Sequence, residues 1–250
     1  MNKLTSSGSG GETDTPPGYA GVPPAVLSHT RGISTPSGYA GVPPASDYNT
    51  NANPYWHFRG YHPHFDNSNL IQSVTFRLHD SLPKRVVAQW KDELKINNKT
   101  PVNDKRRLEL RERIDKYEDA GYGKCYLKND KIAKIVQDTL LHFNGKRYDM
   151  YEWCVMPNHV HVLLKMGEGM TLTSIVHSWK SYTAKKANNM LNRSGDFWMM
   201  DYYDRFIRDE KHFQTVSVYI QQNPVKAGLV ASAEGWQWSS AFNTRKVVYK

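Results

Sequence analysis

No run of about 18 apolar residues occurs in this chain, so no transmembrane helix and no membrane partner are expected. The N-terminus lacks the apolar core of a secretory signal. Cysteine is scarce: Cys125 and Cys154 are the only two, far apart, which excludes a disulfide framework or a cysteine-rich zinc site. Cys154 reads as a small core residue in a strand. A reducing, cytoplasmic setting is expected. Acidic residues are also in deficit: 24 against 33 lysines and arginines, a net charge of +9. The imbalance is confined to residues 55–250, which hold all but two of the basic residues and all but three of the acidic ones. A surplus of that sign implies a polyanionic partner, most simply nucleic acid.

Proline and glycine are unevenly spread. Residues 1–54 hold eight of the 13 prolines and eight of the 17 glycines. They also repeat themselves: Thr15 to Ala25 and Thr35 to Ala45 are near copies. Such a composition buries too little apolar surface to offset ordering entropy, so a disordered N-terminal tail with a duplicated segment is expected. Two copies are too few for a solenoid. One domain is expected over residues 55–250.

The densest chemistry lies at Trp153 to Lys165. It reads as a strand end, a tight Met156-Pro157-Asn158 turn and a second strand. His159, His161 and Leu163 then share one face, with Val160, Val162 and Leu164 on the other. Two imidazoles at this spacing suit one divalent metal, although a His-x-His pair is often only a half-buried strand feature. A rival pair, His62 and His64, flanks Pro63 in a loop-like setting and is a weaker site. Near the C-terminus, His212 onward is helix-like and Pro224 is expected to end it. Tyr219 and Asn223 lie four apart on one face, so a phenol and an amide can be presented together to whatever the histidines hold. Each has a plainer explanation: Tyr219 as a packing aromatic, Asn223 as a helix cap.

The rest of the domain reads as alternating elements. Ile71 to Leu78 is a strand. A helical insertion spans about 84–117, broken near Thr100-Pro101. Its second half is charged nearly all round and reads as a solvated face, with Arg106, Arg107, Arg111 or Arg113 available to a DNA backbone. Asp130 to Phe143 is an amphipathic helix. Tyr148 to Val155 and His159 to Met166 are strands, and Thr171 to Leu191 a helix carrying Lys180. Phe197 to Phe206 reads as irregular, and a short last strand is expected from Gly228. This order fits an α+β fold: a split ferredoxin-like domain with a central antiparallel sheet and flanking helices.

Three pieces, Met156-Pro157-Asn158-His159-Val160-His161, Tyr203 to Arg208 and Tyr219 to Val230, together resemble the HUH single-tyrosine transposases, most closely the REP-associated tyrosine transposases of bacteria. The resemblance runs from about Tyr61 to Phe242. It implies the same fold. It implies a single-stranded DNA endonuclease and strand transferase acting on palindromic hairpins through a 5′-phosphotyrosine. Tyr219 would be the nucleophile, and His159, His161 and Asn223 the ligands of Mg²⁺ (or Mn²⁺). The ligand set alone would favour Zn²⁺ or Mn²⁺, since hard cations prefer oxygen. Arg205, Arg208, Lys180 and Lys226 are candidate DNA contacts. The implied partner is single-stranded or hairpin DNA, with the protein a monomer or homodimer near the nucleoid. Other readings are a catalytically silent hairpin-binding protein, a replication-initiator or relaxase-like nickase, and a Zn²⁺ hydrolase using water. No residue stands out as the base for Tyr219.

Overall fold

The computed structural model describes residues 56–58, 63–65, 67–97, 99–101 and 104–242. The expectation for the tail, and His62 of the rival pair, lie outside them. Strands β1 (Trp56–Phe58) and β2 (Pro63–Phe65) pair as a small antiparallel ribbon. Strand β3 (Ile71–Arg77) leads into helices α1 (Lys84–Glu93) and α2 (Lys105–Asp119). Helix α3 (Asp130–His142) follows, then strands β4 (Tyr148–Val155) and β5 (His159–Met166). Helix α4 (Leu172–Met190), strand β6 (Tyr203–Phe206) and helix α5 (Glu210–Lys226) complete the order. The main sheet runs β4-β5-β3-β6, antiparallel throughout. With α3 and α4 as its crossover helices, that is the ferredoxin-like strand order, and the fold class read from the sequence is borne out.

Two cores form because the strands alternate. Val74, Phe76, Val160, Val162 and Leu164 face α3 and α4. On α3, Ile132, Val136 and Leu140 recur every four residues, one turn apart, and supply a continuous buried stripe. Each such side chain contributes roughly 1.5–3 kcal/mol by leaving water. The opposite sheet face packs Ile71, Cys154 and Leu163 against Phe213 and Ile220 of α5. His159 and His161 stand on this second face, under α5. A third cluster, Leu82, Ile96, Leu110 and Ile114, joins α1 to α2 and belongs to that helical pair alone.

Several expectations are corrected. Pro224 lies inside α5, which continues to Lys226. A proline in the last turn removes one hydrogen bond, and the Ala227 and Leu229 amides still reach back to Asn223 and Pro224. The chain turns at Gly228, whose φ of +67° suits glycine. No strand starts there; residues 233–235 form a 3₁₀ turn instead. Tyr203 to Phe206, read as irregular, is the sheet's edge strand. Finally, α2 is not a solvated face: Leu110, Ile114 and Glu118 are buried. Its arginines are internally engaged. Arg106 and Arg107 hold Asp104 and loop carbonyls, Arg113 pairs with Glu93 and Glu109, and Arg111 pairs with Asp115.

His64 is no metal ligand here. It lies on β2, buried against β6, with Nδ1 2.5 Å from Asp204 and Nε2 3.0 Å from Asp201. Burial opposes its charge, but the two carboxylates outweigh it and push its pKa up to about 9. A raised folded-state pKa gives stability that is complete below about 6.5 and is lost as pH rises through about 9. The thermal midpoint should therefore fall between pH 6.5 and 9, by on the order of 5 °C. His64→Gln should be less stable than the parent at pH 6.5, with the gap closing by pH 9. A gap that stays constant across this range would refute the charged pairing.

Candidate active site

The site is built from β5, the turn before it, α5 and the end of α2. In the turn, the Met156 amide donates to the His159 carbonyl, and the Asn158 carbonyl accepts from Leu78. The Asn158 side chain is fully buried. Its Nδ2 donates to the carbonyls of Glu118 and Tyr122 at 3.1 and 3.0 Å, which fixes Oδ1 towards His159 Nδ1 at 2.7 Å. An amide oxygen can only accept, so His159 carries its proton on Nδ1 and offers a lone pair at Nε2. His161 Nδ1 lies 2.9 Å from the hydroxyl of Thr75, its register partner on β3. A hydroxyl can donate or accept, so Thr75 permits either tautomer of His161.

Both Nε2 atoms point inward, 2.9 Å apart. Burial, then the nearby Arg111 and Arg77, lowers the His159 pKa to about 3. Burial, followed by His159, Arg111 and Lys226, pushes His161 well down. The two rings are neutral at physiological pH, the form that ligates metals. Asn223 on α5 is fully buried, with its Nδ2 3.1 Å from His161 Nε2. Tyr219, one turn earlier, sets its ring edge-on to His161 with centroids 5.4 Å apart. The expected shared face of Tyr219 and Asn223 is thus turned towards the histidine pair.

One further member was absent from the sequence reading. Asp119, the last residue of α2, places Oδ1 3.7 Å from His159 Nε2. That is too long for a hydrogen bond, and the ring is neutral. The ligand atoms of Asp119, His159 and His161 all lie within 4.8 Å of one another. Burial first, then Asp115 and Glu118, raises the Asp119 carboxyl to about 7. A signal for it did exist. Leu110, Ile114 and Glu118 form an inward stripe, and the adjacent stripe Arg111, Asp115 and Asp119 runs beside it at the same spacing.

Whether a divalent ion fits can be judged from unpaired atoms. Asp119 Oδ1, Asn223 Oδ1 and the Tyr219 hydroxyl are all buried without a hydrogen-bond partner of ordinary geometry. Buried polar atoms are rarely left so. Unpaired oxygens beside two inward-facing ring nitrogens could accommodate a cation, and the donor set of two imidazoles plus oxygens suits Mn²⁺, Zn²⁺ or Mg²⁺.

The candidate DNA contacts are placed differently from one another. Arg205, Arg208 and Lys226 are exposed. Lys226 also holds its ammonium 4.7 Å from the Tyr219 ring centroid. Lys180 is only half-exposed, and its ammonium donates to the carbonyls of Met199 and Met200 at 2.6 Å each. It braces the 199–201 loop. Arg111 stacks over Tyr203 at 4.0 Å, and so ties α2 to the edge strand.

Residues 125–223 match the family model described as IS200-like transposase. That span contains His159, His161, Tyr219 and Asn223, and excludes α2. The chain is 27% identical over 129 residues to a Haemophilus influenzae protein provisionally named a REP-associated tyrosine transposase, across 47% of this chain and 72% of that one. A second protein of that organism, with no function in its name, is 28% identical over 116 residues, or 38% of this chain and 63% of its own. A solved REP-associated tyrosine transposase bound to a REP hairpin is similar at 14% identity and a TM-score of 0.45, over 77% of this chain and 89% of its own. The resemblance read from the motifs is borne out by the family and sequence matches.

Proposed function

We propose, from the IS200-like transposase match and the site geometry together, that this chain cleaves and rejoins single-stranded DNA at palindromic hairpins through a covalent tyrosine intermediate. The observation that carries the reading is the convergence of Tyr219 and Asn223 of α5 on two neutral imidazoles of β5. Tyr219 attacks the scissile phosphorus. A bond forms from the phenolic oxygen to phosphorus as the phenol gives up its proton. The bond to the 3′-oxygen breaks, and that oxygen leaves with a proton as a free hydroxyl. The 5′-phosphotyrosine conserves the phosphodiester, so rejoining by a 3′-hydroxyl needs no external energy source. His159, His161 and Asn223 would hold Mg²⁺ or Mn²⁺, which would supply Lewis-acid polarisation of the phosphate and offset transition-state charge. Asn158 and Thr75 orient the two rings from behind, a support that typically sets ligand geometry and basicity.

The carboxyl-rich surroundings bear on Tyr219. Burial, then Asp115 and Asp119, pushes its phenol well above the usual tyrosine range. The buried site therefore keeps Tyr219 protonated, and its phenol must lose that proton as it attacks.

The direct test incubates the full chain with a 3′-labelled single-stranded hairpin and Mg²⁺, then resolves the products on a denaturing gel. A labelled protein adduct is expected. Cutting with no adduct would make water the nucleophile.

Binding should be strongly electrostatic, since each neutralised phosphate releases counterions. If about six phosphates are contacted, affinity should fall on the order of 10³-fold between 50 and 200 mM salt. Arg205→Ala with Arg208→Ala should flatten that slope in a fluorescence-anisotropy titration. Equal affinity for a hairpin and an unrelated single strand at physiological salt would reduce the reading to generic binding.

A further inference from the structure

We infer that Asp119 is a metal ligand, so that the centre is completed by a carboxylate from α2. This deepens the proposed function and rests on its metal site. Three observations support it. First, Asp119 Oδ1 is buried and lacks any hydrogen-bond partner, although it sits 3.7 Å from His159 Nε2. The nitrogen facing it offers a lone pair, beside which a carboxylate oxygen is unfavourable unless a cation joins the two. Second, the fully buried Asn223 also leaves its Oδ1 unpaired, while its Nδ2 lies 3.1 Å from His161 Nε2, and a turn of the amide exchanges the two atoms. With the amide so turned, two orphaned oxygens and two imidazole nitrogens border one spot. Third, the chemistry of the donor set improves. Two neutral histidines and an amide leave a hard cation poorly served. An anionic oxygen adds the donor that Mg²⁺ and Mn²⁺ favour and reduces the site's charge towards that of a stable complex.

The position of α2 makes the placement specific. Asn158 donates to the Glu118 carbonyl, next to Asp119, and also orients His159. Arg77, the register partner of His159, pairs with the Glu118 carboxylate at 3.0 Å. The end of α2 is therefore fixed to the turn and strand that carry the histidines. Asp115, one helical turn earlier, is instead held by Arg111 at 2.6 Å.

The test is a Mn²⁺ titration of the full chain without DNA, followed by electron paramagnetic resonance of the free ion. Asp119→Asn keeps the shape and removes the charge, and should weaken Mn²⁺ binding by at least about 10–100-fold, the loss typical even of outer partners. Asp119→Ala should do the same, with a cooperative melt showing that each variant is folded. Asp115→Asn removes a nearby charge that is not a ligand and is already paired with Arg111, and should change affinity less than about threefold, the range of a modest ion-pair contribution. If Asp119→Asn binds Mn²⁺ like the parent while His159→Ala does not, the inference is overturned and the proposed metal site survives. Equal losses in Asp115→Asn and Asp119→Asn would replace ligation with a general field effect and also overturn it. A parent that binds no Mn²⁺ overturns both.

Discussion

Tyr219→Phe is expected to abolish the covalent adduct with a 3′-labelled hairpin, a loss of at least about 10³-fold, as for removal of other enzymic nucleophiles. The substitution keeps the ring that packs edge-on against His161 and removes only the attacking oxygen. Because that hydroxyl has only a loose contact with Asn223, its loss should leave the fold nearly as stable. Hairpin affinity should be unchanged. Tyr203→Phe should still form adduct, since Tyr203 lies under Arg111 on the edge strand. Adduct surviving in Tyr219→Phe and vanishing in Tyr203→Phe would transfer the nucleophile's role to β6.

The second large effect is on the ion. Cleavage should vanish with EDTA and return with Mg²⁺ or Mn²⁺. His159→Ala with His161→Ala should reduce it to background in either metal, again by about 10³-fold or more, because a divalent ion supplies several kcal/mol of charge stabilisation. The single variant Asn158→Ala is informative beside it. It frees His159 Nδ1 and the two carbonyls that Asn158 holds, and so loosens the ring without removing a ligand. It should weaken Mn²⁺ binding less than the double histidine variant does. Full cleavage by the double variant would dissociate the chemistry from these rings altogether.

Much of this was legible in the sequence because period-two alternation is a strong signal. His159, His161 and Leu163 face α5, while Val160, Val162 and Leu164 face α3 and α4, as the pattern predicts. The four-residue spacing of Tyr219 and Asn223 translated directly into a shared face. What failed had local causes. Pro224 was read as a stop because proline disfavours helix in the residue before it. Buried Asn223, packed against His161, adopts helix regardless. Strand β6 was missed because its buried position 204 is an aspartate, satisfied by His64 and the Phe65 amide from a separate segment. Asp119 was missed because it is separated from His159 by 40 positions. In addition, α2 carries so many charges that its inward stripe is faint.

The depth of the site has a kinetic consequence. His159, His161 and Asn223 expose 2% or less of their surface, and the Tyr219 hydroxyl none of note. A phosphodiester is wider than any such gap, so DNA that reaches these groups would need a conformation in which a neighbouring element such as the end of α2 is displaced. Helices α1 and α2 share a small apolar cluster of their own, so such a displacement would break the contacts of Glu118 with Asn158 and Arg77 but neither main core. If that open form were about 1% of the population, the apparent dissociation constant would rise about 100-fold over the intrinsic one. At saturating hairpin, adduct formation would then level off at an opening rate that no longer depends on DNA concentration. Loosening Arg111 from Tyr203 would raise that plateau without altering a single ligand.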